Sequence, residues 1–120
     1  IGSIQDVSRL LKENQVICLP FDQRVKGGES VRFLGQTARL SNLQAVLAVR
    51  YGAPVIPCFI HRTDGPEYFC DVNPPVSLIQ GNNFRETLSL NTQAFAQKIE
   101  EEILKDPSNW VLWRHNIWKD

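Results

Sequence analysis

The chain has 120 residues, 42% of them hydrophobic and 22% charged, with 13 Lys plus Arg matched by 13 Asp plus Glu. That length supports one small core, and the composition excludes disordered, collagenous and disulfide-scaffold classes. With no net charge, no global field recruits nucleic acid or an anionic membrane, so any anion site must be local.

Ser3 is placed to cap a helix from about Ile4 to Glu13, in which Ile4, Val7, Leu10 and Leu11 share one stripe. The run Val16 to Phe21 is apolar on both faces and reads as a strand covered by helices on each side. It breaks at Asp22. The polar stretch from Asp22 to Gln36, which holds Gly27, Gly28 and Gly35, reads as a long loop of the kind that often carries function. Ser41 is placed to cap a second helix reaching Tyr51, with Leu43, Val46 and Leu47 inward and Gly52 as its stop. Pro54 to Ile60 is a second apolar strand, and Glu67 to Val72 a third, joined to it through a turn at Asp64-Gly65-Pro66. Strand, helix, strand implies a right-handed crossover. The expected fold is therefore α/β, a mixed and mainly parallel sheet flanked by helices. A last helix carries Phe95, Ile99 and Ile103 at i, i+4 and i+8, with Asn91 or an earlier residue as cap and Asp106-Pro107 as stop.

Cys18, Cys58 and Cys70 each sit in an apolar run without a Cys-x-x-Cys partner, which predicts buried reduced thiols and points weakly to a reducing compartment. The longest apolar runs fall far short of the ~20 residues that span a bilayer, so no transmembrane or signal segment is read in the chain. It opens on Ile1 and contains no methionine, so Ile1 is not read as a natural start.

The first place for chemistry is the loop Asp22-Gln23-Arg24-Val25-Lys26-Gly27-Gly28. In open α/β sheets ligands bind beyond the carboxyl ends of strands, which makes its polar residues site candidates. The plainer reading is a turn with solvated Arg24 and Lys26 and glycines at positive φ, and composition does not decide between the two. A phosphate-binding P-loop is disfavoured, because Gly27-Gly28-Glu29-Ser30 lacks the lysine that must follow the second glycine. His61-Arg62 follows the second strand and, if that strand runs parallel to the first, shares an edge with Asp22, where the pair is able to meet a phosphate. A lone histidine in such a place more often packs or faces solvent. His115 and Asp120 stand five positions apart, but a catalytic acid at a fraying terminus cannot hold its histidine in one tautomer, so that pair is rejected. Trp110, Trp113 and Trp118 read as anchors.

Taken in order, several segments resemble the late acyltransferases of lipid A biosynthesis, a branch of the lysophospholipid acyltransferase superfamily. They are the strand ending in Asp22-Gln23, Val31-x-Phe33-Leu34-Gly35, Leu47-Ala48-Val49-Arg50-Tyr51-Gly52, Ala53-Pro54-Val55-Ile56-Pro57 with Arg62, and Pro107-x-x-Trp110 with Trp113-x-His115-x-x-Trp118-Lys119. Where the family usually has two phenylalanines before the glycine and a threonine near position 40, this chain has Phe33-Leu34 and Leu40.

The resemblance implies a single domain over residues 1–120, the C-terminal portion of a lysophospholipid-acyltransferase-like catalytic domain. It also implies transfer of a fatty acyl group from acyl carrier protein to a hydroxyl of a phosphorylated glycolipid at the cytoplasmic face of the bacterial inner membrane. The family's base is the histidine of an H-x4-D/E motif, expected upstream of this segment together with a membrane helix. No residue of this segment is expected to be catalytic. Asp22 and Gln23 match the third family motif and Pro54-Val55-Ile56-Pro57 the fourth, so Asp22, Gln23, Arg24, Lys26 and Arg62 are the expected substrate-binding residues. No metal, nucleic acid or cofactor beyond the acyl carrier protein thioester is implied. An inactive, phosphoglycolipid-binding relative is the alternative, separable by whether H-x4-D/E stands upstream.

Overall fold

The computed structural model describes residues 3–110 and Trp118. Helix α1 (Ile4–Lys12) follows Ser3, whose hydroxyl donates to the Asp6 carboxylate at 3.3 Å and makes no bond to the helix backbone. Asp6 in the first turn and Lys12 in the last complement the helix dipole. Of the expected apolar stripe only Val7 is buried.

The expected strand from Val16 to Phe21 is absent. Those residues join no ladder, and Val16 is 89% exposed. An apolar run marks a segment that gains by burial, but a strand needs a neighbour for its backbone groups, and the described residues supply none. Phe21 alone enters the core, its ring edge-to-face with Phe95 at 6.2 Å.

The expected long loop is instead mostly an antiparallel hairpin, β1 (Arg24–Phe33) and β2 (Gln36–Leu40). Val31 and Phe33 alternate inward with Ala38 and Leu40, leaving Ser30, Arg32, Thr37 and Arg39 outside. The connection Leu34-Gly35 has φ of 49° and 78°, the positive values that tight hairpin turns need. A bulge interrupts β1, because Arg24 and Glu29 both oppose Leu40 and the residues between them leave the ladder. Gly28 makes this possible, since a Cβ there would meet the Leu40 carbonyl oxygen at 2.4 Å.

Helix α2 (Leu43–Tyr51) starts at Asn42, with the Ser41 hydroxyl accepting from the Leu43 N–H at 3.2 Å, and stops at Gly52 in the left-handed region, as the sequence predicts. Strands β3 (Cys58–Arg62) and β4 (Tyr68–Val72) form a second antiparallel pair in which Ile60 faces Cys70. The mainly parallel sheet is thus not formed: among the described residues there are two antiparallel two-stranded sheets and no crossover pair. Upstream of β3, Pro54 and Pro57 have no N–H to offer, and only carbonyls take part: Val55 accepts from Val76 and Pro57 from Asn73, both at 2.9 Å.

Helix α3 (Phe84–Lys105) is capped by Asn83, whose side chain accepts from the Glu86 N–H at 2.9 Å. It ends before Asp106-Pro107 as expected, and a 3-10 turn (Pro107–Asn109) follows. Its Phe95, Ala96 and Ile103 pack with the inward face of the hairpin, Ala45 and Trp110 into one core. Because the outer faces of β3 and β4 lie open, Cys58 and Cys70 are exposed, as is Cys18, against the expectation of buried thiols. No helix among the described residues is long and apolar enough to cross a membrane.

Candidate functional site

Asp22 precedes β1 and is half-buried. Its Oδ2 accepts from the Trp110 indole N–H at 2.9 Å, so a side chain at the base of the hairpin holds the residue that follows the 3-10 turn. Trp110 stands edge-to-face with Phe33 at 5.8 Å and with Trp118 at 6.4 Å, and the Trp118 indole donates to the Phe33 carbonyl at 3.1 Å. Gln23, Arg24 and Lys26 follow Asp22 and are exposed. Arg24 opens β1, and Lys26 lies in the bulge beside Gly27, whose φ is 74°.

Arg62 ends β3. Asn109 clamps this strand, its Oδ1 accepting from the Arg62 N–H at 3.3 Å and its Nδ2 donating to the Ile60 carbonyl at 2.8 Å. The Arg62 side chain lines an open polar cleft with Asp64 and Asp106. The parallel strands that were to set Asp22 and Arg62 side by side are not formed, and the two residues instead bond to the neighbouring Trp110 and Asn109. Asp22 is committed to Trp110, and no ion pair joins it to Arg62 among the described residues.

His61 stacks on Phe69 across the ladder at 4.9 Å, its Nε2 is 3.3 Å from the Glu102 carboxylate and its Nδ1 is 3.5 Å from the Asn109 amide. These contacts hold the imidazole between Phe69, Glu102 and Asn109. His61, Asp71 and Glu102 each bring one ligand atom within 4.8 Å of the others, but the Lys105 ammonium, 2.8 Å from Glu102, already supplies that cluster with a cation. The same hydrogen bond raises the affinity of Lys105 for its proton above the ordinary lysine range. The group ties β3 and β4 to α3. His115, Asp120 and Trp113 lie outside the described residues.

The sequence model of the bacterial lipid A biosynthesis acyltransferase family matches residues 1–120. The chain belongs to that family. A search of curated proteins gave no match. Within this lipid A acyltransferase segment, the residues resembling the third motif open the β1 hairpin, and those resembling the fourth lead into β3. The hairpin also presents a residue the sequence reading passed over. Arg39 is exposed on the outer face of β2, and its guanidinium donates to the Gly28 carbonyl in the bulge at 3.3 Å. The alternation in Thr37-Ala38-Arg39-Leu40 was the available signal, hidden because the glycines before it read as loop.

Proposed function

We propose that the chain forms the acceptor side of an O-acyltransferase that moves a fatty acyl group from an acyl carrier protein thioester to a hydroxyl of a phosphorylated lipid A precursor, at the cytoplasmic face of the bacterial inner membrane. The observation that carries this reading is the family match over all 120 residues. The exposed cations around the Asp22 hairpin support it, because they offer the charge-assisted hydrogen bonds that a phosphorylated acceptor needs.

In the reaction a base removes the acceptor hydroxyl's proton as its oxygen attacks the thioester carbonyl. The new C–O bond forms, the C–S bond breaks, and the carrier thiol leaves with a proton. Among the residues of this segment, Arg24, Lys26 and Arg62 are assigned to acceptor phosphates, Gln23 to acceptor hydroxyls, and Asp22 to holding Trp110 beneath the hairpin. The base is assigned to the family's H-x4-D/E histidine, since His61 has both nitrogens engaged. Membrane association is assigned to the family's N-terminal helix.

The 120-residue chain alone is therefore expected to give no acylated product when incubated with acyl carrier protein thioester and a lipid A precursor. Turnover that disappeared with His115→Ala would overturn the assignment of the base. The second reading, an inactive phosphoglycolipid-binding relative, draws on the same engaged histidine. Restoring turnover by supplying the H-x4-D/E segment in trans would exclude it.

A further inference from the structure

We propose that Cys58 and Cys70 form a two-thiolate site for a soft monovalent cation of the Cu(I) class on the outer face of the β3–β4 ladder. Neither thiol has a part in the acyl transfer proposed above, so the site stands or falls without it.

The ladder register sets the two thiols at opposite corners of one small patch. Cys58 faces Val72 and Ile60 faces Cys70, with all four side chains on the same face. The Ile60 carbonyl and the Arg62 N–H turn away from β4 to the Asn109 side chain. The even-numbered residues of β3 therefore make the non-hydrogen-bonded pairs, in which side chains stand closest. The Pro57 carbonyl bonds to the Asn73 N–H on the β4 side, as that alternation requires. Within the patch the Cys58 and Cys70 thiols hydrogen-bond to each other, and Cys58 Sγ donates to the Ile56 carbonyl at 3.7 Å. Both thiols are exposed, so an ion reaches them without any opening of the fold.

Distance decides between a disulfide and a bridging ion. A disulfide needs Cα atoms about 4.4–6.8 Å apart, and diagonal positions across a ladder are roughly 7–8 Å apart. Two metal–sulfur bonds of about 2.3 Å each span what one S–S bond of about 2.05 Å cannot. The ligand set selects the ion. His61 and Asp71 lie on the opposite face of the ladder with Phe59 and Phe69, and the group of ligand atoms within 4.8 Å that they form with Glu102 leaves the cysteines out. The patch thus offers sulfur alone, which favours Cu(I) over hard divalent ions, and two thiolates fall short of the tetrahedral set that structural zinc takes. Ile60 and Val72 fill the other two corners and give the ion an apolar rim of the kind that limits solvent access at metal sites. Charge points the same way. Partial desolvation, then the charge of Cys70 and the hydrogen bond to it, hold the Cys58 thiol above the ordinary cysteine range. The part due to Cys70 is repulsion between thiolates, which a cation between the sulfurs removes. On binding, each thiol gives its proton to solvent and two Cu–S bonds form, with no change of oxidation state.

The test is anaerobic titration of the reduced chain with Cu(I) held by bicinchoninate, whose coloured complex fades as the protein takes the ion. One Cu(I) per chain is expected. Cys58→Ser and Cys70→Ser should each weaken binding by more than about 100-fold, beyond the roughly 10–100-fold that outer partners of a metal cost. Cys18→Ser removes an exposed thiol outside the ladder and should leave the affinity unchanged. Displacing two protons should make the affinity rise roughly 100-fold per pH unit near neutrality, against about tenfold for a lone thiol. No uptake of the ion, equal loss for Cys18→Ser, no loss for either ladder variant, a tenfold pH slope, or equally tight binding of Zn(II) would overturn the site. Native mass spectrometry that found the ion only in dimers would assign it to thiols of separate chains and overturn it as well. Circular dichroism of each metal-free variant guards against unfolding.

Discussion

Asn91 shows how one residue's meaning changes between sequence and structure. Asparagine favours helix caps, and Asn91 precedes an apolar periodicity, so it or an earlier residue reads as the cap, and the earlier Asn83 fills that place. In the fold it is wholly buried within α3, accepting from the Ile79 N–H at 2.8 Å and donating to the carbonyls of Ile79 and Thr87 at 2.8 and 2.7 Å. A helix-interior asparagine is tolerated when tertiary bonds use its side chain fully, and those bonds are invisible to local pattern. Asn91→Ala should cost roughly 1–2 kcal/mol by thermal unfolding, since it removes the bonds that fasten the part-buried Ile79 backbone to α3. Asn91→Asp should cost more at neutral pH, where an anion would face two carbonyls, and regain part of it in acid. Equal melting of wild type and Asn91→Asp at pH 7 would show that the network is not formed. Cys58 gives a second residue-level outcome. Desolvation and the neighbouring Cys70 push its thiol above the ordinary cysteine value, so less thiolate is present near pH 8. Iodoacetamide should modify Cys58 more slowly than an unperturbed thiol at that pH, followed by peptide mass spectrometry. Modification at the ordinary rate would remove the shift.

Among elements, α3 takes the place of a strand. The Gln93 amide accepts from the Arg32 N–H at 2.8 Å and donates to the Arg32 carbonyl at 2.9 Å, and Glu100 accepts from the Leu34 N–H. The side chains thereby satisfy the free edge of β1, which would otherwise be open to pairing with another chain. Gln93→Ala should lower stability by roughly 1–2 kcal/mol in chemical denaturation and raise light scattering at high concentration. Unchanged stability and scattering would mean that the amide is idle. Element legibility followed the range of the determining interactions. The three helices and the stops at Gly52 and Asp106 follow from local periodicity and stop residues, and were readable. Strand pairing is not local, so Val16 to Phe21 looked like a core strand on composition, while the hairpin, whose glycines serve a bulge and a turn, looked like a loop. The site suffered accordingly. Arg24 and Lys26 kept their exposure, Arg62 went to a different sheet, and Arg39 became visible only through the register.

At the scale of the molecule, the core is asymmetric. Phe33, Leu40, Ala45 and Ala96 are almost fully buried, whereas Val16, Ile60, Tyr68 and Val72 are 89, 67, 64 and 64% exposed. Cys58, Ile60, Cys70 and Val72 share the outer face of the β3–β4 ladder. Clustered apolar exposure of this kind promotes association. In sedimentation velocity the apparent mass of the chain should rise with concentration, and Ile60→Lys with Val72→Lys should return it to monomer without lowering the melting temperature. A monomer at every concentration would count against the face as sticky. The bond from the Trp118 indole to the Phe33 carbonyl bears on how the protein is made. Its partners lie 85 residues apart, and ribosomes add about 5–20 residues per second. The hairpin, which ends at Leu40, is therefore complete in sequence roughly 4–16 s before the tryptophan that secures it has been synthesised. During that interval the turn region waits without its final tether, so a nascent chain stalled before Trp118 should be cut by protease near Phe33 more readily than the released protein.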